Sequence, residues 1–69
     1  MKISARNTMK GKVKHLTNGP VSTEVVVEIA PGIEIVSVIT SHSAQDLGLK
    51  QGSAVTAIVK ASNVLLAVD

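Results

Sequence analysis

The chain has 69 residues, of which 45% are hydrophobic and 17% charged, and its formal net charge at neutral pH is +2. It contains no cysteine, phenylalanine, tyrosine or tryptophan. This composition excludes a disulfide framework, a thiolate metal site, a cysteine nucleophile and an aromatic platform for stacked nucleic-acid bases.

The length and the apolar pattern predict one domain, residues 1–69. No apolar run approaches the roughly 20 residues of a membrane-spanning helix. The opening residues lack the apolar core of a signal peptide. We therefore expect a cytoplasmic protein that does not enter a membrane.

Valine, isoleucine and threonine are abundant, which favours strands over helices. In chain order, alternating polar and apolar residues predict strands at 3–16, 21–30, 33–40, 53–60 and 63–68, with a helical turn at 43–49. Gly11 inside the first strand predicts a bulge or a sharp bend. Asn18-Gly19 predicts a turn with positive φ, and Pro31-Gly32 predicts a type II turn.

The second strand places Thr23, Val25 and Val27 on one face, which we expect to be buried. The third strand has apolar residues on both faces, and we expect another subunit to cover the second face. For the helical turn, Ser43 is the predicted N-cap with Asp46 in the capping-box position, and Gly48 is predicted at C′.

The predicted order β-β-β-α-β-β is typical of an OB-fold, so we expect an all-β, five-stranded OB-like barrel with one short helix. A domain this short rarely obtains enough stability from one core. Since disulfides and metal-ligand spacings are absent, we expect the chain to associate with copies of itself.

Catalysis has little support in the sequence. His15 and His42 are the only histidines, and neither lies beside a motif that activates a serine or threonine. Glu24 and Glu28 are about 13 Å apart by strand rise, which is long for a paired acid and base. An enzyme is therefore the least favoured interpretation.

Two short segments carry groups suited to an oxyanion. Ser4 and Arg6 are two residues apart in the first predicted strand, so a hydroxyl and a guanidinium share one face. Lys60, Ala61 and Ser62 lie at a strand junction, where unpaired backbone N–H groups can join a cation and a hydroxyl in an anion-binding concavity. Neither segment contains an acidic residue.

These residues resemble the molbindins, small molybdate-binding proteins built from one Mop, or TOBE-type, domain. The resemblance covers essentially the whole chain. It lies in the Ser-Ala-Arg-Asn segment at 4–7, the Lys-Gly-Lys-Val segment at 10–13, and the stretches 24–29, 46–49 and 56–61, together with Thr40, Ser43 and Gly52.

The resemblance implies OB-like barrels that pair by strand exchange into hexamers, as trimers of dimers, with molybdate or tungstate held between subunits. It implies an anion site formed by one subunit and completed by Thr40 or Ser41 of a neighbour. A second anion site near the first turn would use Gly19 and Val21. The residues of the main site contributed by one subunit would be Ser4, Ala5, Arg6, Lys60, Ala61 and Ser62.

Molybdate is a tetrahedral dianion that has no proton to donate at neutral pH, so its site requires hydrogen-bond donors only. The two segments meet this requirement, which agrees with non-catalytic binding for molybdenum storage or homeostasis. Two alternatives stay open at this point. One is a nucleic-acid-binding OB module, disfavoured by the missing aromatics and the modest charge. The other is a purely structural oligomerisation domain.

Overall fold

The computed structural model describes residues 1–69, which form four strands, one α-helix and one 3₁₀ turn. None of its helices has the length and apolar character needed to cross a membrane. The elements in chain order are β1 (Asn7–Asn18), β2 (Ser22–Ala30), β3 (Ile33–Thr40), α1 (Ser41–Asp46), β4 (Ala54–Val59) and the 3₁₀ turn Ala61–Asn63.

The four strands form one antiparallel sheet in the order β3-β2-β1-β4. Strand β1 is long enough to serve two partners: its first half pairs with β4 and its second half with β2, with Lys12 at the changeover. The sheet curls into a half-barrel whose two free edges are β3 and β4. The predicted all-β class with one short helix is confirmed.

The core lies on the concave face of this sheet and is small. Val13, Val25 and Val27 are its buried centre. Five partly buried residues pack against them: Leu16, Ile29, Ile39, Leu49 and Val55. Only six of the 69 residues are buried, so a single chain leaves most of its apolar side chains in contact with water.

The fifth predicted strand is absent, so the prediction of five strands is wrong for the single chain. The last six residues, 64–69, have no regular structure, and Leu65, Leu66 and Val68 are 91%, 94% and 97% exposed. Their alternating pattern is that of a strand, but a strand exists only when a neighbour supplies its hydrogen bonds. The first strand also begins later than predicted, at Asn7, because its pairing with β4 ends there.

The N-cap of α1 is Thr40 and not the predicted Ser43. The backbone N–H of Ser43 donates to Thr40 Oγ1 at 3.0 Å, so the helix begins at the end of β3, two residues before the predicted cap. Asp46 was predicted in a capping box, but its carboxylate is directed to His42 instead: the distance from Asp46 Oδ2 to His42 Nε2 is 3.2 Å. Gly48 has φ +63° and ends the helix as predicted, with its N–H donating to Gln45 O.

Two predictions at glycines need correction: a bulge at Gly11, which was one of the two alternatives there, and a positive φ at Asn18-Gly19. The pairing of β1 with β2 shifts between Val13 and His15, so the bulge lies beyond Gly11. Neither Asn18 nor Gly19 has a positive φ, although the chain does turn there, with Gly19 N–H donating to Ser22 O at 3.0 Å. Gly32 has φ +75°, in agreement with the predicted type II turn.

The bulge in β1 is accompanied by an ion pair on the convex face. Lys14, the residue left out of the register, donates to Glu34 at the start of β3. This hydrogen bond raises the pKa of Lys14 and lowers the pKa of Glu34. The lowered pKa of Glu34 means that its contribution to stability is present above the unfolded-state pKa and is lost as the pH falls through the folded-state value.

Gly11 is required because the β2 backbone passes close to it. A Cβ at this position would lie 2.4 Å from Glu28 O and 2.9 Å from Val27 Cγ1. We expect Gly11→Ala to lower the free energy of unfolding by about 1–3 kcal/mol, because backbone must shift to make room. Urea unfolding at one protein concentration measures the effect. Lys12→Ala, an exposed change on the same strand, is the control and should stay within about 0.5 kcal/mol of the parent. Equal stability of the two variants would contradict the prediction.

Candidate anion-binding site

The candidate site lies where the pairing of β1 with β4 stops. The last pair in register is Asn7 with Val59. Continued in the same register, the next pair would place Arg6 opposite Lys60, two positive charges facing each other. Like charges directly opposite destabilise an antiparallel pair, which accounts for the separation of the two segments at this point.

The separated segments enclose a depression of about 420 Å³. The register would also place Ala5 opposite Ala61 and Ser4 opposite Ser62, so each segment supplies one cation, one methyl group and one hydroxyl. The depression is lined by the six residues expected from one subunit: Ser4, Ala5, Arg6, Lys60, Ala61 and Ser62. Segments that are more than 50 residues apart in the chain therefore meet at one end of the sheet.

The polar side chains of this depression have no partner within the chain. Both ion pairs of the structure involve other residues, Lys14 with Glu34 and His42 with Asp46. No side-chain hydrogen bond involves Ser4, Arg6, Lys60 or Ser62. No acidic residue lines the depression. Positive charge and hydroxyl donors are therefore available to a ligand.

The 3₁₀ turn adds backbone donors. Its first internal hydrogen bond runs from Asn63 N–H to Lys60 O at 2.9 Å, and the next runs from Val64 N–H to Ala61 O at 3.3 Å. The N–H groups of Ala61 and Ser62 precede these bonds and have no acceptor within the turn. They are additional donors beside the Lys60 ammonium group.

Thr40 and Ser41 do not lie at this depression in the single chain. Thr40 ends β3 and Ser41 begins α1, near the end of β1 that is farthest from Arg6, about 12 strand residues away. Their hydroxyl groups form hydrogen bonds at that end of the sheet. Thr40 Oγ1 donates to Ser43 Oγ at 2.8 Å, and Ser41 Oγ donates to Gly19 O at 2.6 Å.

Gly19 and Val21, predicted for a second anion site, lie beside Ser41. The Ser41 N–H donates to Val21 O at 2.8 Å, and the Ser41 hydroxyl contacts Gly19 O. The sequence reasoning missed the centre of this group, Thr23, which is fully buried and has its Oγ1 2.8 Å from Ser41 Oγ. The sequence did contain a signal for this contact, because a threonine occurs among the valines of a strand face that was expected to be buried. A buried hydroxyl group requires a hydrogen-bond partner.

The two histidines lie outside both groups of residues. His15 is exposed on β1, opposite Val26 of β2. His42 is exposed on α1 beside Asp46. No group of three or more histidine, cysteine or carboxylate side chains is placed to hold a metal cation. The chain offers cations and hydrogen-bond donors for an anion rather than ligands for a metal ion.

Comparison with known proteins gives consistent matches over nearly the whole chain. The TOBE domain family model matches residues 3–66. Molybdenum-pterin-binding protein 2 of Clostridium pasteurianum is 50% identical over 66 residues, which are 96% of this chain and 97% of that protein.

Two solved structures have the same fold. The structure of MopII from Clostridium pasteurianum in an apo form superposes with a TM-score of 0.91 at 48% identity, covering 97% of this chain and 100% of that one. The cytoplasmic molybdate-binding protein ModG, with molybdate bound, gives a TM-score of 0.84 at 40% identity, covering 96% of this chain and 53% of ModG. The chain belongs to the TOBE domain family, and its resemblance to the Mop proteins is confirmed.

Proposed function

We propose that this protein binds a tetrahedral oxyanion, molybdate or tungstate, in the depression between residues 4–6 and 60–62, and that it does so without catalysis. The observation that carries the proposal is the meeting of two cations and two unpartnered hydroxyls with no carboxylate among them. A dianion without protons needs donors only, and this set of residues supplies donors only.

The charges of such a ligand match those of the site. Arg6 and Lys60 together carry two positive charges, which equal the charge of molybdate in magnitude. The guanidinium group can donate two parallel hydrogen bonds to two oxygens of the anion, while the ammonium group and the hydroxyls can reach the others. A bound dianion would also relieve the repulsion between the two cations.

The relatives support a role in molybdenum storage or homeostasis. The similar proteins have names that describe binding, of molybdenum-pterin in Clostridium pasteurianum and of molybdate in ModG. ModG is described as cytoplasmic, and we extend that location to this chain as part of the proposal. The proposed role of each residue in the site is to bind the anion, and none of these roles includes a reaction of the ligand.

We further propose that the chain works as a homo-oligomer, and its surface area supports this. The accessible surface of the single chain is 5560 Å², whereas a folded monomer of 7.1 kDa is expected to expose about 4,100 Å². Exposed apolar side chains contribute to this surface, among them Leu65, Leu66 and Val68. Burial of this surface between copies would supply stability that the small core does not.

The surfaces for this association are a groove and an arm. The groove, of about 280 Å³, lies between the free edges β3 and β4, and eleven of its thirteen lining residues are hydrophobic. The arm is the exposed segment 64–68, with the alternating pattern of the missing fifth strand. A strand placed in this groove by a second copy would have two free edges to pair with and would close the barrel. The hexameric state and the contribution of a neighbour's Thr40 or Ser41 to the site stay predictions of the resemblance.

Isothermal titration of anion-stripped protein with sodium molybdate tests the proposed binding. We expect heat of binding at micromolar protein. Arg6→Gln should raise the Kd by at least about tenfold, because a hydrogen bond from a charged group is worth about 1.5–3 kcal/mol.

Lys10→Gln is the matched control for that titration. Lys10 is an exposed cation on β1, four residues after Arg6 and outside the depression, and its loss changes the net charge by the same amount. We expect its Kd to stay close to that of the parent protein. An absence of heat from the parent protein would refute the proposed function, and equal Kd values for the two variants would remove Arg6 from the site.

Native mass spectrometry tests the proposed association. The parent protein should give oligomers, while Leu66→Asp should shift the population to smaller species, because a carboxylate in an apolar groove is left unpaired. Gln45→Asp places the same charge on the exposed side of α1 and should leave the oligomers intact. A parent protein that is monomeric, or an unaffected Leu66→Asp variant, would contradict the role of the arm.

A further inference from the structure

The turn that follows β1 contains a chemically labile dipeptide. Asn18, the last residue of β1, is exposed and is followed by Gly19. The backbone nitrogen after an asparagine can attack the side-chain amide carbon, because both groups belong to one molecule and close a five-membered ring. Glycine in the next position leaves that nitrogen unshielded by a side chain. The anion-binding depression does not use this dipeptide.

The fold requires glycine at this position. A Cβ on Gly19 would lie 2.7 Å from Ser22 O, which is a backbone atom. The N–H of Gly19 donates to the same oxygen at 3.0 Å, so the close approach belongs to the turn itself. A bulkier residue would shield the nitrogen but would force the turn apart. The geometry of the turn therefore retains the labile dipeptide.

The other side-chain amides of the chain are less suited to this reaction. Asn7 and Asn63 both precede β-branched residues, whose side chains crowd the backbone nitrogen. Gln51 precedes a glycine, but its side chain is one carbon longer, so the ring would have six members and one more rotation to fix. The sequence and the turn together single out Asn18.

Hydrogen bonds hold this turn closed and oppose the attack. The N–H of Gly19 must lose its proton, and that N–H is bonded to Ser22 O. Ser41 Oγ donates to Gly19 O at 2.6 Å and lies 2.8 Å from Oγ1 of the buried Thr23. Thr23 Oγ1 is in turn 3.4 Å from Asn18 Oδ1. The attack therefore requires local opening of the turn, and its rate follows the population of the open form.

We propose that Asn18 is a site of spontaneous covalent modification whose rate is set by opening of this turn. The nitrogen of Gly19 forms a bond to Asn18 Cγ, the Cγ–Nδ2 bond breaks, and ammonia leaves with the proton of the Gly19 N–H. Water then opens the resulting succinimide ring at either carbonyl, which gives aspartate or isoaspartate. No group is oxidised or reduced in either step.

The modification changes both the charge and the backbone at this end of the sheet. Each product has a carboxylate in place of a neutral amide, so the net charge falls by one from +2. Isoaspartate also routes the main chain through the side-chain carbon, at the last pair of β1 with β2, Asn18 with Thr23. Because ammonia is lost to the solution, the conversion runs one way and limits the lifetime of the native turn.

Peptide mapping by mass spectrometry, after incubation of the full chain in mildly alkaline buffer, tests the proposal. We expect the peptide that contains Asn18 to gain about 1 Da, while the peptides with Asn7, Asn63 and Gln51 lag behind it. A sample unfolded in urea should be modified at Asn18 faster than the folded protein. Modification of Asn18 in urea alone, or equal modification of the three asparagines in the folded protein, would overturn the inference.

Ser41→Ala tests the part played by the turn. The variant loses the hydrogen bond to Gly19 O, so we expect the open population and the rate at Asn18 to rise about fivefold. Ser62→Ala is the control, because it removes an exposed hydroxyl that has no partner in the chain, and it should keep the parent rate. An unchanged rate in Ser41→Ala, or a similar rise at Asn7 and Asn63, would overturn control by local opening.

Discussion

The candidate site depends on the antiparallel pairing of β1 with β4 and on the point where that pairing stops. The pairing brings together two segments from the two ends of the chain and aligns them residue by residue. It ends at Asn7 and Val59, just before two cations would face each other. Repulsion between like charges accounts for the separation of the segments, and in our proposal the same charges attract an anion into the space between them.

The small core of the single chain favours association with further copies of the chain. Without aromatic residues the core consists of valines with a few leucine and isoleucine neighbours, and β3 and β4 have free edges. A sheet edge beside an apolar groove is a natural place for another strand to add. In our proposal the segment 64–68, which is not a strand within its own chain, pairs as a fifth strand with the free edges of a second copy. Assembly would then bury the apolar surface that the small core leaves exposed, and so would supply the missing stability.

The hydroxyl groups at the two ends of β1 differ in their availability. Those of Ser4 and Ser62 have no partner, whereas Thr23 and Ser41 are hydrogen-bonded within the chain. The bonded pair connects β2 to the turn after β1 and to the start of α1, which stabilises that end of the sheet. Free donors suit a ligand, and satisfied donors suit the fold, because a buried hydroxyl without a partner is costly.

The sequence by itself determined the fold class, three of the four strands closely, and the residue types of the candidate site. Alternation of apolar residues is a local property, so β2, β3 and β4 could be located without knowledge of their neighbours. The serine, arginine and lysine of the two segments, and the absence of acids among them, were also visible in the sequence.

Tertiary structure decided those features that depend on contacts between residues far apart in the chain. Whether 63–68 is a strand depends on a neighbouring edge, which the single chain does not provide. The N-cap of α1 moved to Thr40 because the end of β3 places that hydroxyl within reach of Ser43 N–H. The meeting of Arg6 with Lys60 required the register between β1 and β4, which hydrogen bonds between distant segments set and no local pattern encodes.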